Sequence, residues 1–337
     1  MTVDPVLIEV TRGPLVESRH RGAVALASSS GGLALSLGDV TSPVYPRSAV
    51  KALQALPLIE TGTADRFGFG PAEIAIACGS HVGSERHTHL AAAMLERADL
   101  NPDALGCGAH APLGAAAARE LIAAGQQPTQ LHNNCSGKHA GMLATAVHMG
   151  EATACYCNVD HPVQQRVHSA MAEISGLPLG ADVRGTDGCS VPNWAMPLSA
   201  MARMFARLGS GEGMDADRRA ALSRILNACW QFPEMVAGKN RADTVVMRAL
   251  PGKVFMKTGA EGVYCGAFPE LGLGFALKID DGAKRAASGA AMALVERLYP
   301  SARGLMPVGG IKTWHGVEVG EVRSSAYFED ALAGLKL

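Results

Sequence analysis

The chain has 337 residues, 48% of them hydrophobic and 18% charged, with a formal net charge of −1. That length and apolar content suffice for a substantial core, and one large two-lobed domain is expected in preference to two independent ones. The near-neutral balance and the lack of a basic tract argue against nucleic acid, and no apolar run reaches the roughly 18 residues that a membrane span needs.

The N-terminus, Met1-Thr2-Val3-Asp4-Pro5, lacks the basic and long apolar regions of a signal peptide, so a cytoplasmic protein is expected. The first forty residues read as β structure. Val6–Val10, Val24–Ser28 and Leu33–Leu37 are short apolar or alternating runs, broken by Arg12-Gly13-Pro14 and Ser30-Gly31-Gly32. A helix is predicted from Ser48 to Leu56, stopped by Pro57. From about residue 71 to 235 the pattern is mainly helical. Glu85–Ala98, Ala115–Ala124, Ala140–His148, Pro162–Ile174 and Asp217–Cys229 are rich in Ala, Leu, Met and Arg, the strong helix formers. Strand character returns at Gly252–Lys257, Gly262–Phe268 and Gly274–Ile279, and a final helix spans Ala283–Leu298 before Pro300. Strands at both chain ends around a helical middle predict an α/β protein. One sheet is built from both termini, flanked by helices (1–60 and 250–337), beside a mainly helical lobe (71–235).

Two motifs carry chemistry at long range. Pro46-Arg47-Ser48-Ala49-Val50-Lys51 contains Ser-x-x-Lys, and Lys257-Thr258-Gly259 ends a strand-like run. If Ser48 opens a helix, Lys51 lies one turn on along the same face and its amine reaches the Ser48 hydroxyl. A serine hydroxyl needs such a base to become a good nucleophile, and a lysine serves only if burial or a neighbouring cation disfavours its charge. Taken alone, Ser-x-x-Lys is a spacing that arises by chance. In this order, however, the two motifs resemble the serine β-lactamase and penicillin-binding architecture.

Three polar loops lie between them. Leu131–Gly141 gathers His132, Asn133, Asn134, Cys135, Ser136, Lys138 and His139. A capped helix entry accounts for Asn, Ser and Gly there, but hardly for two histidines, a lysine and a cysteine together. Gly185–Trp194 contains Asp187-Gly188-Cys189, which reads equally as a turn. Cys78-Gly79-Ser80-His81 leads into a helix at Glu85, for which Ser84 is a suitable cap. His87 and His89, two apart, face away from each other on that helix. His161 and His168 read as surface or core histidines. The eight cysteines are expected to be thiols, most of them buried as small apolar side chains. Cys135 and Cys189 differ, sitting in polar glycine-containing loops. They would share a zinc ion if their loops met, with a third protein ligand and an open position for water, although the spacing is not a Cys-x-x-Cys ribbon.

Nearly the full length of the chain resembles the Rhizobium-type L-asparaginases, a family with a serine β-lactamase-like fold. The resemblance rests on Pro46–Lys51, Cys78–His81, Asn133–His139, Asp187–Cys189 and Lys257–Gly262 together. It implies two Ser–Lys pairs, Ser48 with Lys51 and Ser80 with Lys257. It also implies a zinc ion held by Cys135, Lys138 and Cys189, substrate contacts from Arg47, His139 and Asp187, and a homodimer. The implied reaction is hydrolysis of L-asparagine to L-aspartate and ammonia through an acyl-serine. A glutaminase, a β-lactamase or peptidase of the same fold, and a non-catalytic zinc-binding module are the rival expectations.

Overall fold

The computed structural model describes residues 3–306 and 310–335. The chain forms two compact units. The first takes the chain up to Ala49, Ala195–Ser210 and everything from Ala249 onward; the second takes Val50–Trp194 and Gly211–Arg248.

The first unit is built on a seven-stranded sheet. Its spatial order is Val322–Ser324, Val6–Arg12, Leu15–Ser28, Leu273–Ile279, Val263–Phe268 and Phe255–Thr258, with Leu33–Leu37 also paired to Leu15–Ser28. Every pairing is antiparallel. Both chain ends therefore meet in one sheet, and the α/β expectation holds. The strand expected at Val24–Ser28 starts earlier, at Leu15. Its first half carries Glu17, Arg19 and Arg21 at alternate positions and pairs as a hairpin with Val6–Arg12, so it shows no apolar run. Val263–Phe268 is buried at every position, and Leu273–Ile279 at all but Lys278, so both faces of these strands are covered. Leu198–Ser210, a helix not predicted from the sequence, packs on three strands of this sheet. Lys284–Leu298 packs on four.

The second unit is helical, and Pro71–Ala77 lies at its centre. This short helix touches Glu85–Arg97, Ser136–His148, Ala216–Gln231 and Pro233–Ala237, and buries Ile74, Ala75, Ile76 and Ala77. Two expectations are corrected here. Arg47–Val50 forms a 3-10 turn followed by the short helix Lys51–Gln54, and Pro57 sits in the first turn of a further helix, Leu56–Glu60. Proline fits there because first-turn N–H groups have no intrahelical acceptor, so Pro57 opens a helix where a stop was predicted. The helix expected from Ala140 begins at Ser136, which places Lys138 and His139 on its opening turns. Among the described residues no helix is long and apolar enough to cross a membrane.

Candidate active site

Within the first unit the fold joins the two long-range motifs. Phe255–Thr258 is a sheet-edge strand paired to Val263–Phe268, and it ends in Lys257-Thr258-Gly259. A Cβ on Gly259 would lie 2.8 Å from the carbonyl oxygen of Pro46, so only glycine lets this strand end approach the Pro46-Arg47-Ser48 backbone. Lys257 is fully buried and its Nζ donates to the Thr258 carbonyl at 2.8 Å. Ser48 is half-buried in the 3-10 turn, which is closed by Ala49 N–H to Pro46 O at 3.1 Å. Arg47 has φ +52°, a left-handed conformation that a non-glycine residue adopts at a cost. The strain sits directly beside the candidate nucleophile.

Within the second unit Lys51 and Ser80 meet. Pro71–Ala77 ends at Cys78, and the chain passes through Gly79, where a Cβ would come 2.4 Å from the Met235 carbonyl. Ser80 is then pinned by its N–H to Val236 O at 2.7 Å. Lys51, 1% exposed, places its Nζ 2.5 Å from Gly79 O, 2.9 Å from Ser80 Oγ and 3.4 Å from Asn134 O. These three partners suit either protonation state. An ammonium donates to all three; a neutral amine donates to the two carbonyls and accepts the Ser80 hydroxyl proton on its lone pair. The bonded Ser–Lys contact thus runs from Lys51 to Ser80, across the two pairs that the resemblance implies.

His81 supports this corner. Its Nδ1 accepts from Gly83 N–H at 3.2 Å, so Nε2 carries the proton and donates to Ser136 Oγ at 3.0 Å, which in turn donates to Leu131 O at 2.9 Å. Burial, then the charges of His87 and Lys51, hold it neutral far below the ordinary histidine range. His81 and His87 stack 4.8 Å apart. His87 is buried and caps its helix with Ser84, whereas His89 is exposed, as their spacing predicts. His161 and His168 bond to backbone carbonyls, of Ala152 and Leu179.

Asn133 builds the neighbouring loop. Its side-chain amide donates to Cys107 O and Gly108 O, while its Oδ1 accepts from Cys135 N–H at 2.8 Å. Cys135 stands at the N-cap of Ser136–His148, one turn before Lys138 and His139. The hairpin of Arg184–Thr186 and Pro192–Trp194 brings Cys189 to the same place on a turn closed by Ser190 N–H to Asp187 O, with Ser190 at φ +74°. Asp187 Oδ1 accepts from Gly188 N–H at 2.6 Å. Lys138 Nζ lies 3.1 Å from Cys189 Sγ, and both groups are buried. A hydrogen bond from the Cys135 thiol holds Cys189 as a thiolate well below the usual thiol range, aided by the charge of Lys138. The same bond, with burial, keeps Cys135 protonated. Burial opposes the charge on Lys138, but attraction to the Cys189 thiolate, aided by Asp187, outweighs it and raises its pKa. The nearby thiols of Cys107 and Cys157 are pushed up by burial to about 12 and about 11.

Among the described residues no three His, Cys, Asp or Glu side chains form a metal-ligand group. The zinc expected from the resemblance therefore fits only with an amine as third ligand. Two sulfurs and Lys138 do converge, and soft thiolates suit zinc, provided that Lys138 and Cys135 first shed their protons.

Residues 8–324 match the family described as L-asparaginase II, and the chain belongs to that family. Membership makes it a protein of the amidohydrolase type, as the five motifs implied. Among solved structures, that of Mglu in its native form aligns at 14% identity with a TM-score of 0.43, covering 84% of this chain and 65% of that one. A β-lactamase from Mycobacterium bovis aligns at 14% identity with a TM-score of 0.38, covering 83% of this chain and 92% of that one. No curated protein matches the sequence.

Proposed function

We propose that this protein hydrolyses L-asparagine to L-aspartate and ammonia through an acyl-serine formed on Ser48. The observation that carries the reading is the buried Lys51 amine, held against Ser80 at 2.9 Å and three residues along the chain from Ser48. Ser48 attacks the side-chain amide carbon of the substrate and its proton passes to Lys51, directly or through Ser80. The acidified amine then protonates departing ammonia, and water cleaves the aspartyl ester by the reverse proton path. Lys257 serves as the second amine of the set. Arg47 pairs with the substrate carboxylate and Asp187 with its ammonium group. Lys51 contributes to the electrostatic field at His81 and His139, so Lys51 and Lys138 share one neighbourhood in the helical unit.

Cys135, Lys138 and Cys189 would hold zinc, whose charge beside the pocket would orient a polar substrate. The Ser–Lys groups already supply nucleophile and base. A homodimer and a cytoplasmic location belong to the same reading, the homodimer resting on the resemblance.

Ammonia release measured on asparagine, glutamine and a β-lactam tests the substrate, with asparagine expected to give the highest kcat/KM. Glutamine is longer by one methylene, which supports discrimination of only about 1–3 kcal/mol, so a weak glutaminase side activity is expected. A β-lactam preference would assign the site to the rival hydrolase class. No turnover of any of the three, with zinc bound, would leave a metal-binding module.

Lys51→Met should lower kcat by ~10³-fold, the usual scale for a lost general base. It also strips the donor from Gly79 O, so a stability loss of about 1–3 kcal/mol accompanies it. Rates are therefore compared at a temperature where circular dichroism shows both proteins folded. Near-normal turnover would remove Lys51 from the proton path.

Metal removal separates positioning from catalysis. One zinc per chain is expected by elemental analysis, and none in the Cys135→Ser/Cys189→Ser double variant. Chelation should raise KM for asparagine about tenfold or more while changing kcat less, the pattern of lost uniform binding. A folded apo-protein with no measurable kcat at saturating asparagine would put zinc in the chemical step.

A further inference from the structure

His87 takes no part in the chemistry above, yet it is 3% exposed and bonded at both ring nitrogens. Its Nδ1 accepts from Ser84 N–H at 3.2 Å, and the Ser84 hydroxyl lies 2.6 Å from the same atom. An accepting Nδ1 leaves the ring proton on Nε2, which donates to Glu234 O at 3.0 Å. The two bonds tie different things. The one to Ser84 is a cap, local to the first turn of Glu85–Arg97. The one to Glu234 spans 147 residues of sequence and fastens that helix to Pro233–Ala237.

Pro233–Ala237 is the shelf on which Ser80 rests. Ser80 N–H is bound to Val236 O, and Gly79 runs close against Met235 O. A five-residue helix has little cohesion of its own, because most of its backbone groups lack intrahelical partners. It is fixed from outside. Arg86 and Arg248 each hold one carboxylate oxygen of Glu234 at 3.0 Å, but both arginines are mainly exposed and water weakens their grip. Thr244 Oγ1 has one proton for two carbonyls, Gly238 O at 2.6 Å and Pro233 O at 3.1 Å. The His87 bond is buried and undivided. His87 also reaches the other neighbour of Ser80. Its ring lies flat on that of His81, with centroids 4.8 Å apart and planes 8° apart, and His81 N–H holds Asn134 O at 3.3 Å.

We propose that His87 is a positioning residue, whose bond to Glu234 O and stack on His81 fix the Ser80 hydroxyl at bonding distance from the Lys51 amine. The proposal deepens the reading above, in which Ser80 and Lys51 pass a proton, and rests on it for the kinetic consequence. A proton moves between two heavy atoms only while they stay at hydrogen-bond distance, and a misplacement of about 1 Å set by a remote side chain can cost about 10²-fold in rate. Without the tie to Glu234, the shelf under Ser80 keeps only its exposed ion pairs and the divided bond from Thr244.

Three substitutions separate the two bonds. His87→Phe keeps a flat ring against His81 and deletes both nitrogens, so kcat for asparagine should fall about 10–100-fold while KM stays within about twofold, because Ser80 carries a proton and does not bind substrate. His87→Gln puts an amide nitrogen where Nε2 stood and should restore kcat to within about fivefold of wild type. His87→Asn keeps an acceptor for Ser84 N–H but is too short to reach Glu234 O, so it should be as slow as His87→Phe. Rescue by Asn and not by Gln would make His87 a helix cap and overturn the proposal. In a Ser80→Ala background His87→Phe should lower kcat no further; an equal fall in both backgrounds would mark a general loss of structure and overturn it as well. Amide exchange reads the positioning without a substrate. In His87→Phe, or in His87→Asn if the first does not fold, Ser80 N–H should exchange at least about tenfold faster than in wild type, while Leu143 and Ala144 N–H in the middle of Ser136–His148 are unchanged. Unchanged protection at Ser80 would overturn the proposal. If asparagine is not a substrate at all, the function reading fails while the exchange measurement still decides the role of His87.

Discussion

Ser48→Ala is expected to lower kcat for asparagine by ~10⁴-fold or more, because removing a nucleophile removes the covalent path and leaves only binding and electrostatic assistance. Its stability should stay within about 0.5 kcal/mol of wild type. Ser48 is half-buried, and the turn that carries it is held by backbone atoms, Ala49 N–H on Pro46 O, which the substitution leaves in place. The decisive control is Ser80→Ala. Lys51 contacts Ser80 at 2.9 Å, so the geometry of the helical unit by itself also admits Ser80 as nucleophile. If Ser80 relays a proton, its loss should cost ~10²-fold, less than Ser48→Ala, and a trapped acyl group found by mass spectrometry should map to Ser48. An inactive Ser80→Ala beside an active Ser48→Ala would exchange the two roles.

The parts of this protein that were legible in the sequence are those that carry a local signal. The strand Leu33–Leu37 and the helices Glu85–Arg97 and Pro162–Ser175 follow from periodicity and breakers within a residue or two. The joining of both chain ends in one sheet followed from where strand character occurs. Motif order suggested that Pro46–Lys51 and Lys257–Gly259 belong together, and the close approach of Gly259 to Pro46 gives that suggestion a physical form. Partner choice was less legible. Spacing on a helix pointed Lys51 at Ser48, but the turn at Arg47–Val50 is 3-10, and the bonded hydroxyl comes from Ser80, 29 residues on. No pattern in a single sequence encodes that distance. The amphipathic helix Leu198–Ser210 was hidden because helical sequence lies on both sides of it. Nothing local says that it belongs on the sheet.

That helix makes the largest stability effect predictable. Gly274 lies mid-sheet, and a Cβ there would stand 2.2 Å from Ala206 N, 2.3 Å from Ala202 O and 2.7 Å from Phe205 C. All three are backbone atoms of Leu198–Ser210, so no rotamer change relieves the clash and the whole helix must lift. Gly274→Ala should therefore cost at least ~3 kcal/mol, the upper range for overpacking a core. Gly272→Ala, two residues away, is the control. Its φ is +63° with nothing within 4 Å of the added carbon, so only left-handed backbone strain of about 1 kcal/mol applies. Urea denaturation of the two variants measures the difference, and equal midpoints would mean that the helix is not seated on Gly274. The consequence for catalysis is indirect but specific. Leu273–Ile279 pairs with Val263–Phe268, which pairs with Phe255–Thr258, the strand that carries Lys257. Lifting the helix uncovers the two strands on which that edge strand rests. Gly274→Ala should thus lose asparagine hydrolysis in step with its unfolding, and keep near-normal turnover per folded molecule at low temperature, because no reacting group has been touched.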